Sequence, residues 1–355
     1  MMTDEAQSAG KPALAGLLAD EITERLGITP AFRGRQIFAW IGKGAESFAA
    51  MTNLPAALRE ELAEKALLRS TTVSKVLTDR DGTIKLQVTL ADGRAVETVL
   101  LTDRDGRKTA CVSSQAGCAM RCAFCQTGQL GFARNLTAAE IVEQFLHLEK
   151  HAGTLDNIVF MGMGEPMLNL PAVRKAIAVL TDKDGRGLSA RRITLSTSGI
   201  IAGIYDLADN GPHVRLAVSL TTADAELRER LMPVEKTNPL PDLREAIGYY
   251  ARKTGRRVTL EAALLHGTNT GDQSARNLIA FAQGLDVHIN LIPWNPVETL
   301  AFSEPTAAEC RHFAAQLQRA GLNVTVRMRR GREIGGACGQ LGKTIADTIA
   351  ADKNR

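Results

Sequence analysis

The chain has 355 residues, enough for one large domain or for a large domain with a small companion. Hydrophobic residues make up 45% of it, and no apolar run reaches the roughly 18 residues that a membrane span needs. The net charge of +4 is too small to indicate nucleic-acid binding by itself. Six cysteines without a secretory signal are expected to be ligands or catalysts in a reducing compartment, so we expect a cytoplasmic protein.

The first part of the chain is predicted to contain a disordered end, a helical domain and a hairpin region. Residues 1–15 are small and polar without a period, which predicts disorder. Residues 16–70 have apolar side chains at helical spacing, which predicts a small helical accessory domain. Asp-Gly pairs at 81–82 and 92–93 separate β-rich runs, so residues 71–107 are predicted to form a short β-hairpin region.

The rest of the chain alternates short β-rich runs with helical ones. The strand candidates are residues 110–113, 157–161, 192–196, 214–220, 258–264, 287–292 and 324–327. Their separation leaves room for intervening helices, which predicts parallel βα units with chemistry at the carboxyl ends of the strands. We expect this α/β core to occupy residues 108–345, followed by a tail at 346–355.

Three cysteines lie close together near the start of this core. Cys118, Cys122 and Cys125 have the spacing C-x3-C-x2-C, and thiolates so close on a loop can point at one centre, which suits an iron–sulfur cluster. No fourth cysteine follows at ligand spacing, so one iron would stay open for a substrate or cofactor. The alternatives are a zinc site completed elsewhere and buried structural thiols.

Two further motifs carry chemically useful groups. Gly162-Met-Gly-Glu-Pro166 combines glycines that let a ligand approach with a carboxylate that can bind an ammonium group, although a tight turn explains it equally well. Glycines flank the pair Ala337-Cys338, which suggests a mobile loop that carries a thiol, with a buried structural cysteine as the alternative. Cys310 lies at a helical position and is interpreted as structural.

These motifs together resemble the radical S-adenosylmethionine (SAM) superfamily, in which C-x3-C-x2-C is followed by Gly-Glu-Pro. The strings Cys111-Val-Ser-Ser-Gln-Ala-Gly-Cys118 and Gly131-Phe-Ala-Arg-Asn-Leu136 narrow the resemblance to the RlmN/Cfr family of RNA adenine methyltransferases, over about residues 32–341. The resemblance implies a partial (βα)6 radical SAM barrel with an accessory domain that helps to grip RNA. It also implies a [4Fe-4S] cluster on the three clustered cysteines and SAM as cofactor.

The resemblance also implies roles for individual residues. Cys338 would carry a methyl group, Cys111 would resolve the adduct, and Glu97, whose local sequence alone indicates a surface strand residue, would remove a proton. The expected SAM contacts are Gly164, Glu165, Ser196, Ser219, Leu220 and Asn295. The family usually has a histidine at the position of Thr221, so this chain departs from it at one expected contact.

The leading hypothesis is a radical RNA methyltransferase that uses two SAM molecules and methylates adenine C2 in 23S rRNA and tRNA. Adenine C2 is not nucleophilic, so radical chemistry carried by a cofactor is needed. The expected partners are these RNAs, an external electron donor and a thiol reductant, and the protein is expected to be a monomer. The alternatives are methylation at adenine C8, as in Cfr, and a zinc-stabilised RNA-binding module without chemistry. Arg329 and Arg330 form a basic pair that could contact phosphates or be a solvated surface.

Overall fold

A computed structural model of the protein describes residues 10–343 and 345. Within them the chain begins with the helices α1 (Ala19–Leu26), α2 (Phe32–Gly42) and α3 (Ala56–Lys65). Ile22, Phe38 and Leu62 face the interior of this region and are at most 2% exposed. The prediction of an amino-terminal helical region is confirmed.

Residues 12–15 are ordered, contrary to the prediction of disorder for residues 1–15. The N–H of Leu14 donates a hydrogen bond of 2.9 Å to the carbonyl of Leu67, and the N–H of Leu67 donates one of 2.9 Å to the carbonyl of Pro12. Leu14 and Ala15 are fully buried. The prediction of disorder is therefore wrong for residues 12–15, because their few apolar side chains find a place in the core. Residues 1–9 and the predicted tail at 346–355 lie outside the described residues.

The strands begin after α3 and continue almost to the end of the chain. In sequence order they are β1 (Thr72–Thr78), β2 (Ile84–Thr89), β3 (Ala95–Thr102), β4 (Lys108–Cys111), β5 (Gln115–Gly117), β6 (Phe132–Asn135), β7 (Asn157–Phe160), β8 (Ile193–Thr197), β9 (Arg215–Ser219), β10 (Val258–Leu264), β11 (Val287–Pro293) and β12 (Asn323–Val326). Strands β5 and β6 form a separate antiparallel pair. The other ten form one sheet in the order β1-β2-β3-β4-β7-β8-β9-β10-β11-β12.

The sheet has an antiparallel part and a parallel part. Strands β1 to β4 pair antiparallel, and the predicted hairpin turns lie between β1 and β2 and between β2 and β3. From β4 onward every neighbouring pair is parallel. The strand candidates drawn from the sequence are all present, each with bounds within two residues of the observed ones. The prediction of an α/β fold with a parallel core is confirmed.

Helices fill the connections between the parallel strands. They are α4 (Gln126–Gln129), α5 (Ala138–Ala152), α6 (Leu170–Thr181), α7 (Ile201–Asn210), α8 (Ala225–Leu231), α9 (Leu240–Thr254), α10 (Asp272–Ala282) and α11 (Ala307–Arg319). Helix α5 begins at a capping box in which Thr137 and Glu140 satisfy each other's backbone N–H groups. Helix α11 begins in the same way and buries Cys310, which agrees with a structural role for that thiol. Among the described residues, no helix has the length and apolar character needed to cross a bilayer.

Candidate active site

The carboxyl ends of the parallel strands surround a cavity. It contains about 980 Å³ of space when the open solvent at its mouth is included. Eight of the predicted site residues line it: Cys118, Cys122, Cys125, Gly164, Glu165, Ser196, Ser219 and Cys338. The fold therefore brings together sequence motifs that are far apart along the chain.

The predicted cluster cysteines lie on the loop between β5 and α4. Gly117 ends β5 with a φ of 81°, and a Cβ there would lie 1.9 Å from the carbonyl oxygen of Gly131, so the position needs glycine. The N–H of Cys118 then donates a hydrogen bond of 2.8 Å to that same carbonyl. At the other end of the loop, α4 begins at Gln126, directly after Cys125. The loop is thus held at both ends while its thiols face the cavity.

Burial controls the protonation of these three thiols. It raises the pKa of Cys118 to about 12 and also raises the pKa of Cys122 and Cys125. The charges of Cys125 and Cys118 raise the pKa of Cys122 further. Thiolates at this place consequently need a bound cation, and sulfur is the donor that iron–sulfur clusters use. As placed, no three Cys, His, Asp or Glu side chains in the described residues stand close enough to hold a metal ion. The donor chemistry fits an iron–sulfur cluster.

Glu165 lines the same cavity as the three cysteines and is 3% exposed. Its carboxylate accepts hydrogen bonds from the N–H of Ser198 at 2.7 Å and from the Ser198 hydroxyl at 2.8 Å. Burial raises the pKa of Glu165, and these hydrogen bonds oppose that effect. A Cβ on Gly164 would lie 2.5 Å from the Cβ of Gln115, so close packing explains this glycine at least as well as ligand access does.

Asn295 carries a buried acceptor that lacks a partner in the described structure. Its Nδ2 donates a hydrogen bond of 3.2 Å to the carbonyl of Cys338, but its Oδ1 accepts none. A buried side-chain oxygen without a partner is rare in proteins. Asn295 is not among the residues that line the cavity, so a SAM contact by this oxygen stays a prediction. The carboxylate of Glu165 and the hydroxyls of Ser196 and Ser219 do line the cavity, and these groups fit the ammonium and hydroxyl groups of SAM.

The segment that carries Cys338 is docked against the core. The carbonyl of Gly339 accepts a hydrogen bond of 2.8 Å from the N–H of Gln126, and the carbonyl of Leu341 accepts one of 2.7 Å from the Thr127 hydroxyl. Gln340 donates a hydrogen bond of 2.8 Å to the carbonyl of Pro296. The structure thus shows a held segment where the flanking glycines suggest a mobile loop.

Cys111 ends β4 behind the cavity wall and is 6% exposed. Burial raises its pKa to about 12, and the nearby Cys338 also acts to raise it, whereas the guanidinium of Arg327 lowers it. Cys338 is also the main cause of the raised pKa of Arg327. The two predicted redox cysteines and this arginine therefore form one electrostatic group.

Glu97 lies on β3 and is fully buried, so its interpretation as a surface residue is wrong. Its Oε1 lies 3.2 Å from Nζ of Lys85, and its Oε2 accepts a hydrogen bond of 2.8 Å from the N–H of Gly342. Neither Glu97 nor Leu220 is among the residues that line the cavity. Leu220 donates its N–H to the carbonyl of Glu261 at 2.9 Å. Its carbonyl accepts the N–H of Thr222 at 2.7 Å, so both backbone groups are engaged and a SAM contact by Leu220 stays a prediction.

Sequence reasoning missed two charged residues at the site. Glu261 lines the cavity on β10, is 6% exposed, and accepts a hydrogen bond of 2.7 Å from Asn290. Arg327 follows β12 and lies close enough to Glu261 to lower the pKa of that carboxyl, which burial raises. Arg327 directly follows β12, and this position at a strand end is the signal that could have identified it. Glu261 lies in the middle of β10 and carries no such signal.

The basic pair at 329–330 is engaged within the protein. Arg329 and Arg332 both form ion pairs with Glu304, and Arg330 donates a hydrogen bond to the carbonyl of Thr102. These contacts leave fewer guanidinium N–H groups available to bind phosphates than the sequence alone suggests.

Comparisons with known proteins agree with this geometry. Residues 112–279 match the radical SAM superfamily, and residues 21–68 match the amino-terminal domain of ribosomal RNA large subunit methyltransferases. A probable dual-specificity RNA methyltransferase RlmN of Treponema denticola is 59% identical over 336 residues, covering 95% of this chain and 97% of that one. Its counterpart in Treponema pallidum is 57% identical over 332 residues, with 94% and 98% coverage.

This chain belongs to the RlmN family of radical SAM RNA methyltransferases. A solved structure supports the same assignment: a radical SAM methyltransferase from Sphaerobacter thermophilus has a TM-score of 0.89 and 42% sequence identity, covering 93% of this chain and 99% of that one. The predicted radical SAM fold is thereby confirmed for this RlmN-family chain. Membership of the superfamily implies SAM and a [4Fe-4S] cluster as cofactors.

Proposed function

We propose that this chain methylates C2 of adenine in 23S rRNA and in tRNA, using two SAM molecules and a methyl group carried on Cys338. The observation that carries the proposal is that Cys338 lines the same cavity as Cys118, Cys122 and Cys125. The relatives named as dual-specificity RNA methyltransferases support the choice of substrates. A thiol at that place can accept a methyl group and present it to a base that enters the cavity.

The protein supplies ligands, positioning and proton transfer, and the cofactors supply the radical chemistry. Cys118, Cys122 and Cys125 would hold the cluster, which when bound provides the electron for radical formation from SAM. Glu165, Ser196, Ser219 and Asn295 would orient SAM, together with Gly164 and Leu220.

Release of the product requires the second cysteine. The Cys111 thiolate attacks the Cys338 sulfur, a disulfide forms, and the bond between that sulfur and the methyl-derived carbon breaks. The electron pair of the broken bond stays with the carbon attached to adenine, which takes up a proton and becomes the methyl group. Glu97 is the proposed base for the proton that leaves C2, and the one electron that the adduct loses as the ring becomes aromatic again would pass to the bound cluster. An external thiol system then reduces the disulfide, and an external donor supplies the electron for the cluster.

The position of Glu97 adds a condition to this role. Its carboxylate is buried, and both oxygens already interact with Lys85 and Gly342. A base must come within hydrogen-bond reach of the proton it removes. Glu97 can therefore act only after the segment that contains Gly342 shifts.

The test is mass spectrometry of 23S rRNA and tRNA from a deletion strain that expresses either the wild type or Cys338→Ala. We expect 2-methyladenosine with the wild type and none with the variant, and Cys310→Ala serves as a matched control that should behave like the wild type. 8-Methyladenosine from the wild type would show Cfr-type regiochemistry instead. Methylated RNA from Cys338→Ala would refute the carrier role.

A further inference from the structure

A buried ion pair lies beneath the segment that carries Cys338. Lys85 on β2 and Glu97 on β3 are 2% and 0% exposed, with 3.2 Å between Nζ and Oε1. In the antiparallel register, Lys85 is opposite Val99 and Glu97 is opposite Gln87, so the two charges are diagonal neighbours on one face of the sheet. Burying two charges is costly unless both are well satisfied by partners.

Each member of the pair also binds one end of a short stretch of backbone. Nζ of Lys85 donates a hydrogen bond of 3.2 Å to the carbonyl of Gly335. Oε2 of Glu97 accepts a hydrogen bond of 2.8 Å from the N–H of Gly342. Cys338 lies between these two contacts, three residues from one and four from the other.

The hairpin turn between β1 and β2 fixes the part of the chain that precedes this stretch. Oδ2 of Asp81 accepts a hydrogen bond of 2.9 Å from the N–H of Gly331, and Oδ2 of Asp79 accepts one of 3.1 Å from the N–H of Glu333. A Cβ on Gly331 would lie 2.7 Å from Thr83, so this approach needs glycine. The antiparallel hairpin region is thus a second surface on which the Cys338 segment docks, in addition to its contacts with Gln126, Thr127 and Pro296.

We propose that the Lys85–Glu97 pair is a clasp that positions Cys338, with Lys85 as a positioning residue outside every sequence motif described above. The pair ties Gly335 and Gly342 to two adjacent strands and so fixes both ends of the segment 335–342 at once. The proposal rests on the proposed function only in taking Cys338 as the methyl carrier. It gives the hairpin region a part in the chemistry, because a carrier thiol must be held at a defined place to accept and deliver its methyl group.

The clasp is tested by the accessibility of the Cys338 thiol, which does not depend on turnover. Cluster-loaded protein is treated anaerobically with iodoacetamide, and peptide mass spectrometry follows alkylation of Cys338 and, as an internal reference, of Cys310. In Lys85→Met, the loss of a buried charge-assisted hydrogen bond should raise the Cys338 rate by about tenfold or more. The Cys310 rate should stay at the wild-type value.

Two further variants separate the clasp from general effects of charge. Lys85→Met combined with Glu97→Gln leaves no unpaired buried charge, and it should show the same acceleration at Cys338. Lys175→Met removes a lysine that pairs with Glu21 between α6 and α1, and it should react like the wild type. Amide hydrogen exchange should rise in residues 335–342 for the clasp variants alone.

The alkylation rates of Cys338 and Cys310 in these variants test whether the ion pair positions the Cys338 segment. A Cys338 rate within about twofold of wild type in Lys85→Met and in the double variant would overturn it. An equal rise at Cys338 and Cys310 in both variants would also overturn it, because the pair would then hold the whole fold and not the segment. RNA methylation by Cys338→Ala would contradict the proposed function but would leave the alkylation result intact, so the two can fail separately.

Discussion

The N–H of Gln126 donates a hydrogen bond of 2.8 Å to the carbonyl of Gly339, so the residue after Cys125 contacts the residue after Cys338. The adjacent contact joins Thr127 to Leu341, which are 214 positions apart in the chain. The loop with the predicted cluster ligands and the segment with the predicted methyl carrier thus support each other directly. A substitution in one of these two segments is therefore expected to alter the position of the other.

The first prediction concerns the cluster ligands. Changing Cys118, Cys122 or Cys125 to alanine should remove the visible absorbance from sulfur-to-iron charge transfer and abolish SAM cleavage, because three thiolates are needed to hold the cluster. Absorbance spectra and 5′-deoxyadenosine release after anaerobic reconstitution provide the measurement. Cys310→Ala, which changes a thiol buried in α11, should retain both signals. A single-alanine variant of the loop that still cleaves SAM would contradict the ligand assignment.

The second prediction concerns the unpartnered oxygen of Asn295. Asn295→Ala removes the acceptor and the hydrogen bond to the Cys338 carbonyl, and it should weaken SAM binding by about tenfold, as loss of a buried hydrogen bond does. Asn295→Asp keeps an acceptor and should bind SAM more tightly than the alanine variant. Equilibrium dialysis of cluster-loaded protein measures both affinities. Equal affinity of the wild type and Asn295→Ala would remove Asn295 from the SAM contacts.

The third prediction follows from the raised pKa of Cys111. Its thiol has an ordinary pKa of 9.0, and burial raises the pKa to about 12 in the folded protein. Between these values the folded state binds more protons than the unfolded state, so the stability from the neutral buried thiol is complete below pH 9 and is lost as pH rises toward 12. In cluster-free protein, the urea midpoint should therefore fall more steeply from about pH 8 to about pH 10.5 in the wild type than in Cys111→Ala. Equal slopes would show that Cys111 is not held protonated.

Local sequence signals predicted the parts of the molecule that depend on local structure. The strand from Val258 to Leu264 follows from its continuous β-rich run, and the three clustered cysteines follow from spacing within one loop. The pairing of Lys85 with Glu97 depends on the register of two strands and on a segment 250 positions away. Arg327 acts on Cys111 and Cys338 only because the sheet brings the end of β12 close to both thiols. No periodicity in one part of the chain contains such long-range information.

The same reason explains why the sequence-based predictions for Leu14 and Glu97 are wrong. Leu14 lies in a small, polar stretch, and its burial comes from contact with the chain near Leu67. Glu97 resembles a solvent-facing strand residue until the carboxyl-terminal segment covers it. In both cases a distant part of the chain decides the environment of the residue.

The last prediction separates the roles of the two cysteines by the order of events. If Cys111 resolves the adduct, Cys111→Ala should still accept a methyl group on Cys338 and still form the bond to adenine. It should then stall, because no thiolate within reach can displace the Cys338 sulfur from the new carbon, and the buried site admits external thiols poorly.

The expected observation is RNA tethered to the protein, visible as a shifted band on a denaturing gel. Ribonuclease should trim the band, and a reducing agent should not release it, because the link is a thioether and not a disulfide. Cys111→Ala combined with Cys338→Ala should form no tether, while Cys310→Ala should turn over normally. Glu97→Gln should also accumulate the tether if the base acts before Cys111 does. Normal turnover by Cys111→Ala would mean that Cys338 is released without a second thiol, and the proposed mechanism would have to be abandoned.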